Sequence, residues 1–70
     1  MNITVNGKDT RLDGPVTIQQ LLDQGYVEMQ EYVTVQVNEA IIPRDQYKTH
    51  TIREGDRIEF LYYMGGGARM

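Results

Sequence analysis

The sequence predicts a small α+β domain in which a mixed sheet of four or five strands packs on one helix. Three observations support this fold class: a hairpin signal near the start, a capped helix directly after it, and period-two alternation in two later segments. The chain has 70 residues. Because a chain this short buries only about 60% of its unfolded surface, it has no material for a second domain or a deep cavity.

The hairpin signal is Asn6-Gly7, which lies between two short segments with alternating side chains. A tight type I′ turn needs two residues that tolerate positive φ, and Asn-Gly meets this requirement best. We therefore expect strands near residues 2–6 and 8–12.

The helix signal is a capping box formed by Thr17 and Gln20. Gly25 is placed to leave the helix in the left-handed conformation, so the helix is about two turns long. Its apolar stripe consists of Ile18, Leu21 and Leu22. A helix this short needs a sheet to lie on.

Period-two alternation predicts a strand that starts near Tyr32, followed by a turn at Asn38-Glu39. The core-facing residues of this strand are Val33, Val35 and Val37. A further strand is expected over Ala40–Ile42 and ends at Pro43, which lacks a backbone donor. Residues 44–47 could form one helical turn with Tyr47 as its anchor.

The last predicted strand runs from Arg57 to Tyr62 and places Ile58 and Phe60 in the core. The alternation groups Tyr62 with these two residues, opposite Glu59, Leu61 and Tyr63. A right-handed crossover through the helix would put this strand parallel to the first and beside it. This arrangement is the β-grasp of ubiquitin. The alternative is a small open barrel of SH3 or OB type, and the capped helix after the first hairpin favours the β-grasp.

Composition excludes several function classes. The chain has no Cys and no Ser, and His50 is its one histidine, so disulfides, a thiolate nucleophile and a Ser/His triad are excluded. The carboxylates are scattered, and we predict neither catalytic residues nor a metal site. The net charge of −3 argues against nucleic acid as a partner. No apolar run is long enough to span a membrane, so we expect a cytoplasmic protein that is a monomer when free.

Three consecutive glycines, Gly65, Gly66 and Gly67, follow the last predicted strand. Glycine packs nothing and loses the most backbone entropy on ordering, so we divide the chain into a domain, residues 1–64, and a flexible tail, residues 65–70. The tail is either a frayed terminus or an extended segment that enters a narrow channel of a partner enzyme. In the second case, the terminal glycine would present a carboxylate free of side-chain bulk.

The segment from Val37 to Arg44, the aromatic Tyr47, the segment Glu54–Phe60 and the glycine run occur together in order. In this order and spacing they resemble the ThiS family of sulfur carriers, which is related to MoaD and ubiquitin. The resemblance implies that Gly67 is adenylated with ATP by a ThiF-type enzyme and converted to a thiocarboxylate. The thiocarboxylate would then deliver sulfur to the thiazole synthase ThiG for thiamine biosynthesis. No cofactor is expected to be bound by the chain itself.

The sequence departs from the family pattern because Ala68, Arg69 and Met70 follow the glycines. One explanation is a proprotein trimmed by a zinc metalloprotease, as the resemblance implies for relatives that serve homocysteine formation or thiocarboxylate metabolites. The other explanation is a cloning remnant. A non-covalent β-grasp interaction module is the alternative from a different function class.

The outer face of the sheet is a candidate docking surface formed by Thr34, Gln36, Leu61 and Tyr63. Aromatic and apolar side chains make good interface anchors, although such residues can also simply cover a sheet. Pro43 with Arg44 is interpreted as a strand stop followed by a solvated cation, and the alternative is a direct role at the partner interface. Arg44 and His50 are therefore placed outside the candidate site.

Overall fold

The computed structural model describes residues 1–62. The predicted boundary between domain and tail therefore lies outside the described residues. The observed strands are β1 Asn2–Val5, β2 Lys8–Arg11, β3 Val16–Thr17, β4 Val33–Val37, β5 Ala40–Ile42, β6 Thr51–Ile52 and β7 Arg57–Tyr62. Among residues 1–62, no helix combines the length and apolar character needed to cross a bilayer.

Five strands form one mixed sheet in the order β2-β1-β7-β4-β5. Strand β7 pairs in parallel with β1, with Val5 opposite Ile58, and antiparallel with β4, with Val35 opposite Phe60. The first and last strands are thus neighbours, as the predicted crossover requires. The β-grasp prediction is confirmed, and the barrel is excluded because β2 and β5 are open edges of the sheet.

The first turn has the predicted left-handed backbone, with φ of 52° at Asn6 and 81° at Gly7. The Asn6 side chain also joins this turn to the last strand, because Asn6 Oδ1 accepts a hydrogen bond of 2.8 Å from the backbone N–H of Phe60. The Asn38-Glu39 turn likewise has positive φ at both residues, 52° and 73°. Both predicted hairpins are confirmed.

The helix α1, Ile18–Leu21, begins at the predicted capping box. Thr17 Oγ1 accepts from the Gln20 N–H at 3.2 Å, and the Gln20 side chain accepts from the Thr17 N–H at 2.8 Å. A wider π-type turn, Leu22–Tyr26, follows and contains Gly25 at φ 96°. The predicted left-handed exit is confirmed, but the second turn is not α-helical.

Among residues 1–62, fifteen buried apolar side chains form one core between the helix and the sheet. They are Ile3, Val5, Leu12, Ile18, Leu21, Leu22, Val27, Val33, Val35, Val37, Ile42, Tyr47, Ile52, Ile58 and Phe60. Tyr47 is 3% exposed and follows a short 3₁₀ turn, Arg44–Gln46, which confirms its predicted role as an anchor.

Two local features were not predicted. Strands β3 and β6 pair with each other, with Val16 opposite Ile52, and a second 3₁₀ turn, Gln30–Tyr32, precedes β4. Elements of two or three residues are too short to show a period, so hydrophobic patterning cannot identify them.

Two substitutions at Asn6 separate its two roles. Asn6→Gly keeps the left-handed turn but removes the acceptor from the Phe60 N–H, so we expect a loss of about 1–3 kcal/mol in the free energy of unfolding. Asn6→Asp retains an acceptor oxygen, so its free energy of unfolding should fall by less than half as much as that of Asn6→Gly. Urea denaturation at equilibrium measures both values, and equal stability of Asn6→Gly and the parent chain would contradict the proposed role of this bond.

Candidate functional site

The outer face of the sheet is the side of β4 and β7 that points away from the helix. Strand pairing puts Thr34 directly opposite Leu61 and Gln36 opposite Glu59. Directly paired residues in antiparallel strands have side chains on the same face. The structure therefore brings together Thr34, Gln36 and Leu61, all half-buried. Tyr63, the fourth predicted member, lies outside the described residues.

Ile41 is a member of this face that sequence reasoning missed. It lies opposite Gln36 in the ladder and is 62% exposed, the most exposed large apolar residue among those described. Its neighbour Ile42 is 8% exposed and lies opposite Val35 in the core. Because successive strand residues face opposite sides, only one of two adjacent isoleucines can be buried in the core. This alternation indicates from the sequence alone that one of Ile41 and Ile42 faces outward, and it was a usable signal for an exposed isoleucine on this face.

We call Thr34, Gln36, Ile41 and Leu61 the outer patch. Its neighbours are charged: Glu59 is exposed beside Gln36, and Arg57 forms an exposed ion pair with Glu39 at 3.4 Å. Apolar side chains surrounded by a polar rim are typical of protein–protein contacts. The outer patch is thus suited to binding another protein rather than to enclosing a small molecule.

A second surface lies on the helix side of the sheet, at the end of β7. Its lining residues are Tyr26, Val27, Glu28, Met29 and Tyr62, which surround a shallow cavity of about 400 Å³. We call it the Tyr62 groove. Tyr62 shares its face with the core residue Phe60, as the alternation predicts, but it is 43% exposed. The helix side of the sheet is therefore incompletely covered at this end.

Arg44 holds the loop that leads from this groove into β4. Its guanidinium donates hydrogen bonds to the backbone carbonyls of Gln30 at 3.1 Å, Glu31 at 3.0 Å and Val33 at 3.3 Å. It also lies 5.7 Å from the centroid of the Tyr47 ring, within the range of a cation–π contact. The interpretation of Arg44 as a solvated cation was wrong: the side chain is exposed, but it is hydrogen-bonded to backbone.

The Gln30 side chain holds the same loop from the other side. It donates to the Leu22 carbonyl at 3.3 Å and to Asp23 Oδ1 at 3.2 Å, and it accepts from Gln19 at 3.0 Å. Gln30 and Arg44 thus fix the loop that precedes β4.

His50 takes part in the fold through its backbone: its carbonyl oxygen accepts a hydrogen bond from the Ile18 N–H at 3.1 Å.

The predicted reactive and removable residues lie outside the described part of the chain. They are Gly65, Gly66, Gly67, Ala68, Arg69 and Met70. The last two described residues lie on opposite faces of the sheet: Leu61 belongs to the outer patch, and Tyr62 lines the Tyr62 groove. Within residues 1–62, no cluster of three or more potential metal-ligating side chains is present.

A family model described as the ThiS family matches residues 3–67. The crystal structure of the thiamine biosynthesis protein ThiS from Geobacter metallireducens is similar with a TM-score of 0.87 and 43% identity, covering 96% of this chain and all of that one. The sulfur carrier protein ThiS of Escherichia coli is 28% identical over 67 residues, which are 96% of this chain and 100% of that protein.

A third relative is much longer than this chain. The thiazole synthase of Paramagnetospirillum magneticum is 28% identical over 68 residues, which are 97% of this chain but 21% of that protein. The chain thus spans only about a fifth of the thiazole synthases that it matches.

Substitution of Arg44 tests whether it holds the loop before β4. Arg44→Ala removes three hydrogen bonds from a charged donor. We expect the free energy of unfolding to fall by only about 1–2 kcal/mol, because the site is exposed to solvent. Backbone amides of residues 30–33 should also exchange with deuterium faster than in the parent chain.

The matched control is Arg53→Ala, because the Arg53 guanidinium makes no hydrogen bond to any of residues 1–62. It should leave both the urea midpoint and the exchange rates unchanged. Equal losses in the two variants would show that Arg44 acts only through its charge.

Proposed function

Because the chain belongs to the ThiS family, whose model matches it from residue 3 to residue 67, we propose that it carries sulfur as a thiocarboxylate on Gly67 for synthesis of the thiamine thiazole. The observation that carries this proposal is the extent of the match. It includes the β-grasp domain and the glycine run, and it ends at the residue predicted to react. Ala68, Arg69 and Met70 fall beyond it.

The proposed reaction has two steps at the Gly67 carboxyl group. A carboxylate oxygen attacks the α-phosphorus of ATP, a new oxygen–phosphorus bond forms, and pyrophosphate leaves. A donor of sulfur at the oxidation level of sulfide then attacks the acyl carbon, and the bond between that carbon and the oxygen of AMP breaks. The products are AMP and a thiocarboxylate in which sulfur replaces one carboxylate oxygen.

The chain supplies the reacting group, and the partner enzyme supplies the catalysis. Adenylation requires positioned cations and hydrogen-bond donors around the phosphates of ATP. The chain has no Cys and no Ser, and its net charge is −3, which does not favour binding of a triphosphate. We therefore assign ATP binding to a ThiF-type enzyme and treat this protein as its substrate, with no bound cofactor of its own. Since the first step consumes ATP, we assign the reaction to the cytoplasm.

Removal of Ala68, Arg69 and Met70 must precede the first step. Adenylation needs a free carboxyl group on Gly67, and in the sequence the carbonyl carbon of Gly67 is bound to the nitrogen of Ala68. If the three residues are native, a processing protease, which we expect to be a metalloprotease, has to cleave after Gly67. If they are a cloning remnant, the natural chain is ready for activation.

Thiazole synthase is the proposed sulfur acceptor. One protein named thiazole synthase contains a segment similar to nearly the whole of this chain within about a fifth of its own length. A carrier-like segment covalently joined to a second domain is held near it at high effective concentration, an arrangement that favours proteins that act on each other. This relationship supports transfer of sulfur from the carrier to thiazole synthase.

We propose that the outer patch is where the partner enzyme docks. It includes Leu61 near the end of β7, so a protein bound there contacts the chain four residues before Gly65 in the sequence. Ile41 is the strongest candidate anchor because it is 62% exposed and would lose the most apolar surface to water on binding. Leu61 and the methyl group of Thr34 would extend the same contact.

The extension is the one feature that favours a second candidate function. A ThiS-like proprotein could deliver sulfur for homocysteine formation or for a thiocarboxylate metabolite by the same chemistry at Gly67. The acceptor enzyme distinguishes the two functions: sulfur transfer from the thiocarboxylate to thiazole synthase supports thiamine synthesis, and transfer only to a homocysteine-forming enzyme supports the alternative.

ATP–pyrophosphate exchange with a cognate ThiF-type enzyme tests the activation step. A chain that ends at Gly67 should support exchange, whereas the chain that ends at Met70 should not. Gly67→Ala in the shorter chain should reduce exchange at least about tenfold, equivalent to about 1.4 kcal/mol. Its melting temperature should not change, because position 67 lies beyond the sheet and core formed by residues 1–62. Exchange by the Met70 form at the same rate would contradict the need for trimming.

A charge placed on the outer patch tests docking. Ile41→Glu in the chain that ends at Gly67 should raise the KM of the activating enzyme for the carrier at least about tenfold, since a buried unpaired charge opposes binding. The control is Gln24→Glu, which introduces the same charge at an exposed position on the helix side. A similar KM for both variants would exclude the outer patch as the docking surface.

A further inference from the structure

The Tyr62 groove lies within a cluster of exposed apolar side chains at one end of the fold. Five large apolar side chains are exposed among the described residues, and four of them lie at this end. Tyr26, Met29 and Tyr62 line the groove and are 40%, 42% and 43% exposed. The fourth, Tyr32, adjoins them because its N–H donates to the Met29 carbonyl at 3.0 Å. Exposed apolar side chains that cluster in this way mark a binding surface, whereas scattered ones do not.

The loop that supplies most of this cluster is also acidic. The ten residues from Asp23 to Tyr32 include three carboxylates and neither Lys nor Arg. The Asp23 carboxylate accepts a hydrogen bond of 3.2 Å from the Gln30 side chain. The carboxylates of Glu28 and Glu31 are exposed, and they make no hydrogen bond or ion pair with any other described residue. Two unpaired negative charges thus lie beside the exposed apolar side chains.

Arg44 is the cation that contacts this loop, and it is not paired with either carboxylate. Its guanidinium donates to the backbone carbonyls of Gln30, Glu31 and Val33, and it forms no ion pair within the described part of the chain. These bonds hold the loop, and the Tyr62 hydroxyl accepts a hydrogen bond of 3.3 Å from the Glu28 N–H on its other side. A partner therefore meets a preformed surface, which lowers the entropy cost of binding.

The charge of this surface selects among the partners that an apolar groove could bind. In a symmetric dimer a patch faces its own copy, so Glu28 and Glu31 would lie against the same acidic patch of a second chain. Nucleic acid and anionic membranes are repelled for the same reason. A small apolar molecule would stay largely in water, because the cavity is shallow. The surface is therefore matched to a protein segment that carries a positive charge.

We propose that the Tyr62 groove binds a segment of a partner protein in which arginine lies next to an apolar side chain such as leucine. The apolar side chain contacts Tyr26 and Met29. A guanidinium is attracted both to carboxylates and to the faces of aromatic rings, and the groove combines Glu28 with two tyrosines. Lysine lacks the planar group that stacks on a ring, so arginine fits better. The outer patch lies on the other face of the sheet, so both surfaces can be occupied at once.

NMR titration of the ¹⁵N-labelled full chain with the peptide acetyl-Leu-Arg-Leu-Arg-Leu-amide tests this proposal. The amide resonances of Val27, Glu28 and Met29 should shift and saturate as the peptide is added. The control peptide has citrulline in place of both arginines, so it keeps the shape of the side chain but carries no charge. It should bind about tenfold more weakly, because both attractions to the guanidinium charge are lost.

Removal of single carboxylates tests where the cation binds. Glu28→Gln and Glu31→Gln should each raise the Kd of the arginine peptide about threefold, as expected for an exposed ion pair. The matched control is Glu59→Gln, which removes the same charge from an exposed position on the opposite face of the sheet. It should leave the Kd unchanged. All three positions are exposed, and the spectra of the variants without peptide verify that each is folded.

Three outcomes would overturn the proposal. Groove resonances that do not move, with or without shifts at the outer patch, would show that the peptide does not bind there. Equal Kd values for the arginine and citrulline peptides would show that charge plays no part. Groove resonances that move when the chain alone is diluted would assign the groove to a second copy. The titration contains no activating enzyme, so its result is independent of adenylation at Gly67.

Discussion

The rest of the sheet depends on the pairing of β7 with both β1 and β4. This one strand joins the N-terminal hairpin to the β4–β5 hairpin, and its core-facing residues Ile58 and Phe60 are 0% and 5% exposed. The Asn6 side chain strengthens the junction by accepting a hydrogen bond from the Phe60 N–H. Without β7, each hairpin would be a two-stranded ribbon, which is marginally stable in water.

The position of β7 also determines where function can lie. The strand is central: β4 pairs with it as far as Tyr62, which lies opposite Val33, whereas the pairing with β1 covers only Arg57 and Ile58. Its last two residues lie on opposite faces: Leu61 is in the outer patch, and Tyr62 is at the groove on the helix side. In the proposed function, the domain is the binding surface for the partner enzymes, and those enzymes supply the catalysis at the carboxyl group of Gly67.

Local signals predicted the elements that local forces determine. The Asn6-Gly7 turn, the Thr17 capping box and the alternation of β4 each depend on residues close in sequence, and all three are confirmed. Even the parallel neighbour of β1 could be predicted, because the handedness of crossover connections leaves few alternatives.

Contacts between distant segments could not be predicted in the same way. The bonds from Arg44 to the loop before β4 depend on how a 3₁₀ turn packs against another part of the chain, which no periodicity encodes. The Tyr62 groove arises because the helix leaves one end of the sheet uncovered, a property of the packed structure. Of the predicted docking residues, Thr34, Gln36 and Leu61 share a face as expected. Alternation alone indicates that one of Ile41 and Ile42 faces outward, and the register of β5 shows that it is Ile41.

In the proposed function, the C-terminal carboxyl group of Gly67 becomes a thiocarboxylate. Intact-mass spectrometry of chain 1–67, incubated with ATP, a cognate ThiF-type enzyme and a sulfur donor, measures this directly. A carrier becomes heavier by the difference between one sulfur and one oxygen atom, and the added mass lies in the C-terminal peptide. A mass that stays unchanged, while the same enzyme and donor convert a known carrier, would contradict the claim.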